Sequence, residues 1–233
     1  MGFIGGIISS VCSAIGSACN AIGGALFGGA GGIGTLAVAL FPPLAPTISE
    51  ILIAIGAIST IVSAIVEALG LKNKEETPEE LGMKAEISDK KPEDFDTIEE
   101  YINYLRKEVT IDEQRVENLS PEEKAKYMSI GTALYIKEIE EKYGIEAPGE
   151  FWRTAEDREL NGEEVHECIK NFKEHGITDM KDMSDYLNGK DPESGTEKYT
   201  VYSAIIETMK ELEPGISDEE LAEKFSSMIN IEE

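Results

Sequence analysis

The first charged side chain in this chain is Glu50, the second is Glu67, and the first basic residue is Lys72. A helix or strand facing water needs a polar side, and 49 residues without a charge supply little of one. The formal charge of −25 is therefore a property of one part of the chain, since residues 72–233 carry all but two of its negative charges and all 21 basic residues. The mean hydropathy of −0.20 averages a lipid-like segment with a strongly hydrated one.

This balance excludes some classes. So negative a chain repels phosphate backbones, and it has no basic patch with interleaved aromatics, so no nucleic-acid partner is expected. The acidic part is also repelled by anionic headgroups at neutral pH. Three cysteines cannot form a disulfide framework. Cys12 and Cys19 stand about 10 Å apart along a helix, beyond disulfide reach, and read as small apolar residues.

The N-terminus lacks the basic first region and the cleavage pattern of a secretory signal, so it is expected to be retained. Gly2 is followed by Gly6, where a myristoylation acceptor pattern needs Ser or Thr. Ile8, Cys12, Ile15, Cys19, Ile22 and Leu26 recur at steps of 4, 3, 4, 3 and 4, which is helical periodicity. Beside them Ser9, Ser13, Ser17, Ala21, Ala25 and Gly29 form a stripe of small residues, of the kind that lets helix backbones approach closely in lipid. The run Gly28–Gly34 interrupts that helix, and Pro42, Pro43 and Pro46 force a turn. A second arm follows from Thr47 to Leu69, with Ile51, Ile55, Ile58, Val62, Ile65 and Leu69 again at steps of 4 and 3. The spacing predicts a hydrophobic helical hairpin over residues 1–71.

Sixteen uncharged residues separate Glu50 from Glu67, about 24 Å of helix against a hydrocarbon core of about 30 Å. A bilayer disfavours the ionised forms of both acids, so Glu50 and Glu67 are candidate pH sensors and acidification is expected to ease insertion. In general design the arrangement resembles the hydrophobic hairpins of pore-forming colicins and translocating toxins, and the Gly/Ala-rich penetration segments of some virus and phage ejection proteins. That resemblance covers about 70 residues, is compositional, and assigns no residue a role.

From residue 72 the signals change to regular helix starts and stops. Residues 72–95 read as a charged linker with one short helix opened by the capping box Thr77-Pro78-Glu79-Glu80. Residues 96–233 read as an acidic bundle. Its predicted helices run from Asp96 or Thr97 to Val109, Ser120 to Tyr143, Gly149 to Leu160, Gly162 to His175, Thr178 to Leu187, Thr196 to Leu212 and Ser217 to Ile229. No strand is expected, so the fold class is all-α, a Gly/Ala-rich hydrophobic hairpin followed by an acidic multi-helix bundle.

Candidate chemistry is sparse. His166 and Cys168 point about 200° apart on a helix and cannot share a tetrahedral metal site with His175. Glu163 and His166 match half of a di-iron motif that needs two copies. Asp179, Asp182, Asp185 and Asp191 fit no calcium-loop register around Gly189 or Gly195, and read as solvated helix faces and turn residues. Neither histidine neighbours a nucleophile elbow, and no phosphate loop follows a strand. In a segment so rich in Asp and Glu, a pair of carboxylates chosen by sequence carries no information. Phe151 and Trp152 read as core anchors. No catalytic residue, metal or cofactor is assigned, and the chain reads as a non-enzyme.

Two readings stay open. In one, the hairpin enters a bilayer as an oligomer, its apolar and small-residue stripes meeting lipid and one another, while the acidic bundle stays in water; the protein is then membrane-associated, pore-forming or translocating. In the other, the arm is buried between subunits of a larger secretion or phage-like assembly, as a virion component would be.

Overall fold

Most helices begin where a short polar side chain can take up the first free N–H groups. Thr77 Oγ1 accepts from the Glu80 N–H at 3.2 Å, and the Glu80 carboxylate accepts in return from the Thr77 N–H at 3.1 Å. Ser120 with Glu123, Asn161 with Glu164 and Ser217 with Glu220 repeat this reciprocal arrangement. The computed structural model describes residues 48–72 and 75–229, and all its regular elements are helical. They are α1 (Ile48–Ala68), α2 (Pro78–Ile87), α3 (Ile98–Glu108), α4 (Glu113–Glu117), α5 (Pro121–Tyr143), α6 (Gly149–Asp157), α7 (Gly162–Glu174), α8 (Lys181–Leu187), α9 (Lys198–Leu212) and α10 (Asp218–Ile229). The predicted all-α class stands for these residues. The first arm of the predicted hairpin, with its stripes from Ile8 to Leu26 and Ser9 to Gly29, lies outside them.

Local differences have local causes. The helix predicted from Thr178 starts at Lys181, because Asp179 pairs with Glu146 in an isolated parallel bridge. The Glu146 N–H donates to Thr178 O at 2.7 Å and the Met180 N–H to Glu146 O at 2.8 Å. The four-residue gap in helix between α6 and α7 follows from Glu159, which turns left-handed at φ 54°. The short α4, capped by Asp112, was not anticipated.

The centre of the molecule is α5. From Ser129 to Ile136 every residue is buried, so this stretch has no solvent face. A helix enclosed on all sides must be apolar or small around its whole circumference, and Ser129-Ile-Gly-Thr-Ala-Leu-Tyr-Ile136 is. Around it pack α1, α2, α3 and α7, while α7 passes the core on to α9, and α6, α8 and α10 complete the far side.

Two glycines bring the backbones of α2 and α5 into close approach. A Cβ on Gly82 would fall 2.0 Å from Tyr127 O, and one on Gly131 would fall 1.9 Å from Pro78 O. Two glycines on opposite helices thus permit backbone-to-backbone contact at both ends of one short interface.

Within segment 47–69, read as the second arm of a hairpin, Ile48–Ala68 is an integral helix of this bundle. Ala54, Ile55, Ile58, Ile61, Val62, Ile65 and Val66 are buried in the same core as α5 and α7. A division after residue 71 therefore separates α1 from the helices it packs on. The amphipathic helices of the acidic half are apolar on their inner faces, and the α1 side chains complete that interior.

Candidate functional site

The α1 stripe is the first candidate surface. Ile55, Ile58, Val62 and Ile65 are at most 2% exposed, and Leu69 is partly buried against them. This face is thus occupied within the same chain, by α5, α7 and α6. The side chains of Glu50 and Ile51 lie outside the described residues. Glu67 sits at the opposite end of α1, half-exposed, with Lys72 Nζ at 3.9 Å. Where α1 begins, the surface is apolar but open, since Ile53 is 73% exposed and Ser49 is also at the surface. Among the described residues no helix is long and apolar enough to cross a membrane.

A polar cluster that sequence reading did not isolate lies between α2, α3 and α5. Arg106, on α3, is held by Glu76 through two parallel bonds, Nε to Oε2 and Nη2 to Oε1, both 2.8 Å. Such a forked pair matches the planar guanidinium to the carboxylate and fixes both. The Tyr135 hydroxyl of α5 donates to the same Glu76 Oε1 at 2.6 Å. One turn further along α5 is Glu138, 3% exposed, whose Oε1 lies 4.0 Å from Arg106 Nη1. Neither oxygen of Glu138 has a hydrogen-bond partner.

These surroundings push the two acids apart. Burial works against the charge of Glu76, but the bonds from Arg106 and Tyr135 outweigh it and hold the carboxyl below its ordinary value. Burial raises the Glu138 carboxyl to about 7, and the more distant Arg106 only partly offsets this. Tyr135 is raised by burial and by the Glu76 charge it bonds, so its hydroxyl stays a donor.

Above the pair opens a cleft of about 400 Å³, lined by Glu75, Glu76, Glu80, Lys84, Arg106 and Lys107, with Val109 and Ile111 at its edge. Glu138 does not line it. The cluster therefore keeps a proton in the interior rather than presenting it to a molecule in the cleft, although two carboxyls with separated pKa values also occur in acid–base sites.

The remaining sequence candidates fall elsewhere. His166 Nε2 is 2.5 Å from the Tyr143 hydroxyl, His175 Nδ1 meets Asn171 O at 2.8 Å, and Cys168 is buried. Among the described residues no group of three or more His, Cys, Asp or Glu is placed to hold a metal. Phe151 and Trp152 are core anchors, with the indole N–H donating to Ala147 O at 2.9 Å.

The reading of the Asp179–Asp191 group as solvated needs correction. Asp182 and Asp185 are 1% and 4% exposed. Lys181 Nζ bonds both oxygens of Asp185 at 2.8 Å, and Ser194 Oγ donates to Asp182 at 2.6 Å, so local partners make their burial tolerable. Asp191 alone is fully at the surface, beside Lys198 at 2.8 Å.

The sequence marks the Arg106 cluster only nonspecifically, with nothing that pairs Arg106 with Glu76. Only four arginines occur among the 21 basic residues, and Glu138 falls on the same helical face as Tyr127, Gly131 and Leu134. No protein-family model matches the chain, and neither a curated protein nor a solved structure shows significant similarity to it.

Proposed function

We propose that this chain is a membrane-interacting protein whose uncharged N-terminal segment engages a lipid bilayer as an oligomer while the acidic helical bundle remains in water. The observation that carries the reading is the placement of α1. This apolar helix packs its inner face on α5 and α7, and its N-terminal end is open to the surface at Ser49 and Ile53. The 47 preceding residues contain no charged side chain and join the bundle there.

Placement of α1 also sharpens how much of the chain needs to meet lipid. Its apolar side chains already have an apolar environment, worth about 1.5–3 kcal/mol for each fully buried Ile or Val. Moving α1 into a bilayer would preserve that gain for α1 but strip the facing surfaces of α5 and α7. Engagement by residues 1–47 with α1 retained as their anchor is thus the less costly arrangement. Pore formation by the whole hairpin requires an opened bundle.

Flotation of the full chain with neutral liposomes tests the reading. Substituting Ile15→Lys and Ile22→Lys places two cations on the apolar stripe, each costing about 2.5–3.5 kcal/mol at a bilayer centre. Loss of flotation with an unchanged helical circular-dichroism spectrum is the expected result. Equal flotation of both proteins overturns it. A homogeneous detergent-free oligomer that ignores liposomes would instead favour the arm being buried between subunits of an assembly.

A further inference from the structure

The interior around Glu138 is one cation short. Arg106 is the nearest positive charge, and both of its bonds at 2.8 Å go to Glu76. The groups acting on Glu138 are Arg106 and Glu99 from α3, Glu76 from the turn before α2, and Lys142 of its own helix. Tyr135, also on α5, has its hydroxyl hydrogen committed to Glu76. With Glu138 ionised, one guanidinium faces a buried carboxylate and a half-buried one; with Glu138 protonated, the charges of Arg106 and Glu76 cancel. A buried charge without a partner is costly, whereas a neutral carboxyl in the same place is not.

We propose that Glu138, Arg106 and Glu76 form a proton-operated lock on the N-terminus of α2. Protonated Glu138 leaves Arg106 wholly to Glu76, and that forked pair pins the turn Glu75–Thr77 to α3 and α5. Ionised Glu138 competes for the same guanidinium, and the turn is released by the weakening of its only arginine pair. The cleft over Arg106, walled by Glu80 and Lys84 of α2 and by Lys107 of α3, widens when that turn moves. The lock does not depend on how residues 1–47 are used.

Several features of the site agree with this role. Burial of Glu138 raises its carboxyl to about 7, so the lock changes state near neutrality. Glu76 is shifted the other way and stays ionised throughout that range. The sign is then fixed: closed protein holds a proton on Glu138 that an opened form, with an ordinary value near 4.5, releases. Closure is strongest below pH 4.5 as far as Glu138 is concerned, weakens as pH rises, and levels off above about 7.

Hydrogen exchange of the full chain at pH 5, 6, 7 and 8, corrected for intrinsic rates, reads the opening directly in peptides covering residues 75–83. The expected result is an opening constant that rises about tenfold per pH unit between pH 5 and 7 and then flattens, with no such rise in peptides from α6. Glu138→Gln, a permanent neutral side chain, removes the rise. A flat wild-type profile, a rise shared equally by α6, or an unchanged rise in Glu138→Gln overturns the lock. If Glu138→Gln fails to fold, the wild-type carboxyl is followed by carbon NMR instead: a midpoint near 7 supports the lock, and one below 5.5 overturns it.

Discussion

At the scale of single residues, two kinds of position set what this chain tolerates. Gly82 and Gly131 are contact points between backbones, where an added methyl would lie 2.0 Å and 1.9 Å from carbonyl oxygens that cannot move alone. Gly82→Ala and Gly131→Ala should each cost about 2–4 kcal/mol in urea unfolding, despite the gain in helix propensity that alanine usually brings. Arg106 is the other kind. Arg106→Lys keeps the charge but loses the fork, leaving Glu76 at most one of its two bonds from residue 106, and a loss of about 2–3 kcal/mol is expected by the same measurement. Neither kind was legible from local sequence. A glycine in a helix pattern reads as a weak spot, and its use becomes visible only once the partner helix is placed. Glu138 and Glu76 are 62 positions apart, so their competition for one guanidinium is a property of the packing.

Elements were far more legible than contacts. Thr77, Ser120 and Ser217 announce their helices through bonds to residues three positions on: the capping box read at Thr77 reappears in the structure, and the helices predicted from Ser120 and Ser217 open in the same way. Tertiary pairing at Glu146 explains why α8 starts late, since nothing near Thr178 encodes it. For α1 the periodicity was correct and the surroundings were not specified, because an apolar face at steps of 3 and 4 suits lipid, a subunit interface or a bundle interior equally. The structure separates its faces. Ile53→Lys, at a site 73% exposed, should shift stability by less than about 0.5 kcal/mol, while Ile58→Lys, at 0% exposed, should cost more than about 4 kcal/mol in thermal or urea unfolding. At the other end of the described residues, α10 fully buries only Leu221, with Phe225 packed against Tyr202 and Tyr186. Its amides should exchange with free energies near zero, well before those of α5, in native-state hydrogen exchange.

At the scale of the whole molecule, acidity and hydrophobicity act as a pair. The helices of the acidic half give α1 a core to occupy. Two effects of pH then oppose one another. Protonation of acids beside an apolar segment eases contact with lipid, whereas protonation of Glu138 tightens the bundle that holds α1. Dye release from liposomes that needs an opened bundle should therefore be greater for Arg106→Lys than for the wild type at pH 5. Equal release would mean that opening the bundle is not limiting.

The position of α1 at the beginning of the described chain has a consequence for biosynthesis. Its partner α5 is complete only at Tyr143, and α7 only at Glu174. At about 5–20 residues per second, the ribosome needs roughly 5–20 s after finishing α1 to deliver both faces that cover it. During that interval the apolar face of α1 stays uncovered, so folding competes with chaperone capture of the nascent chain.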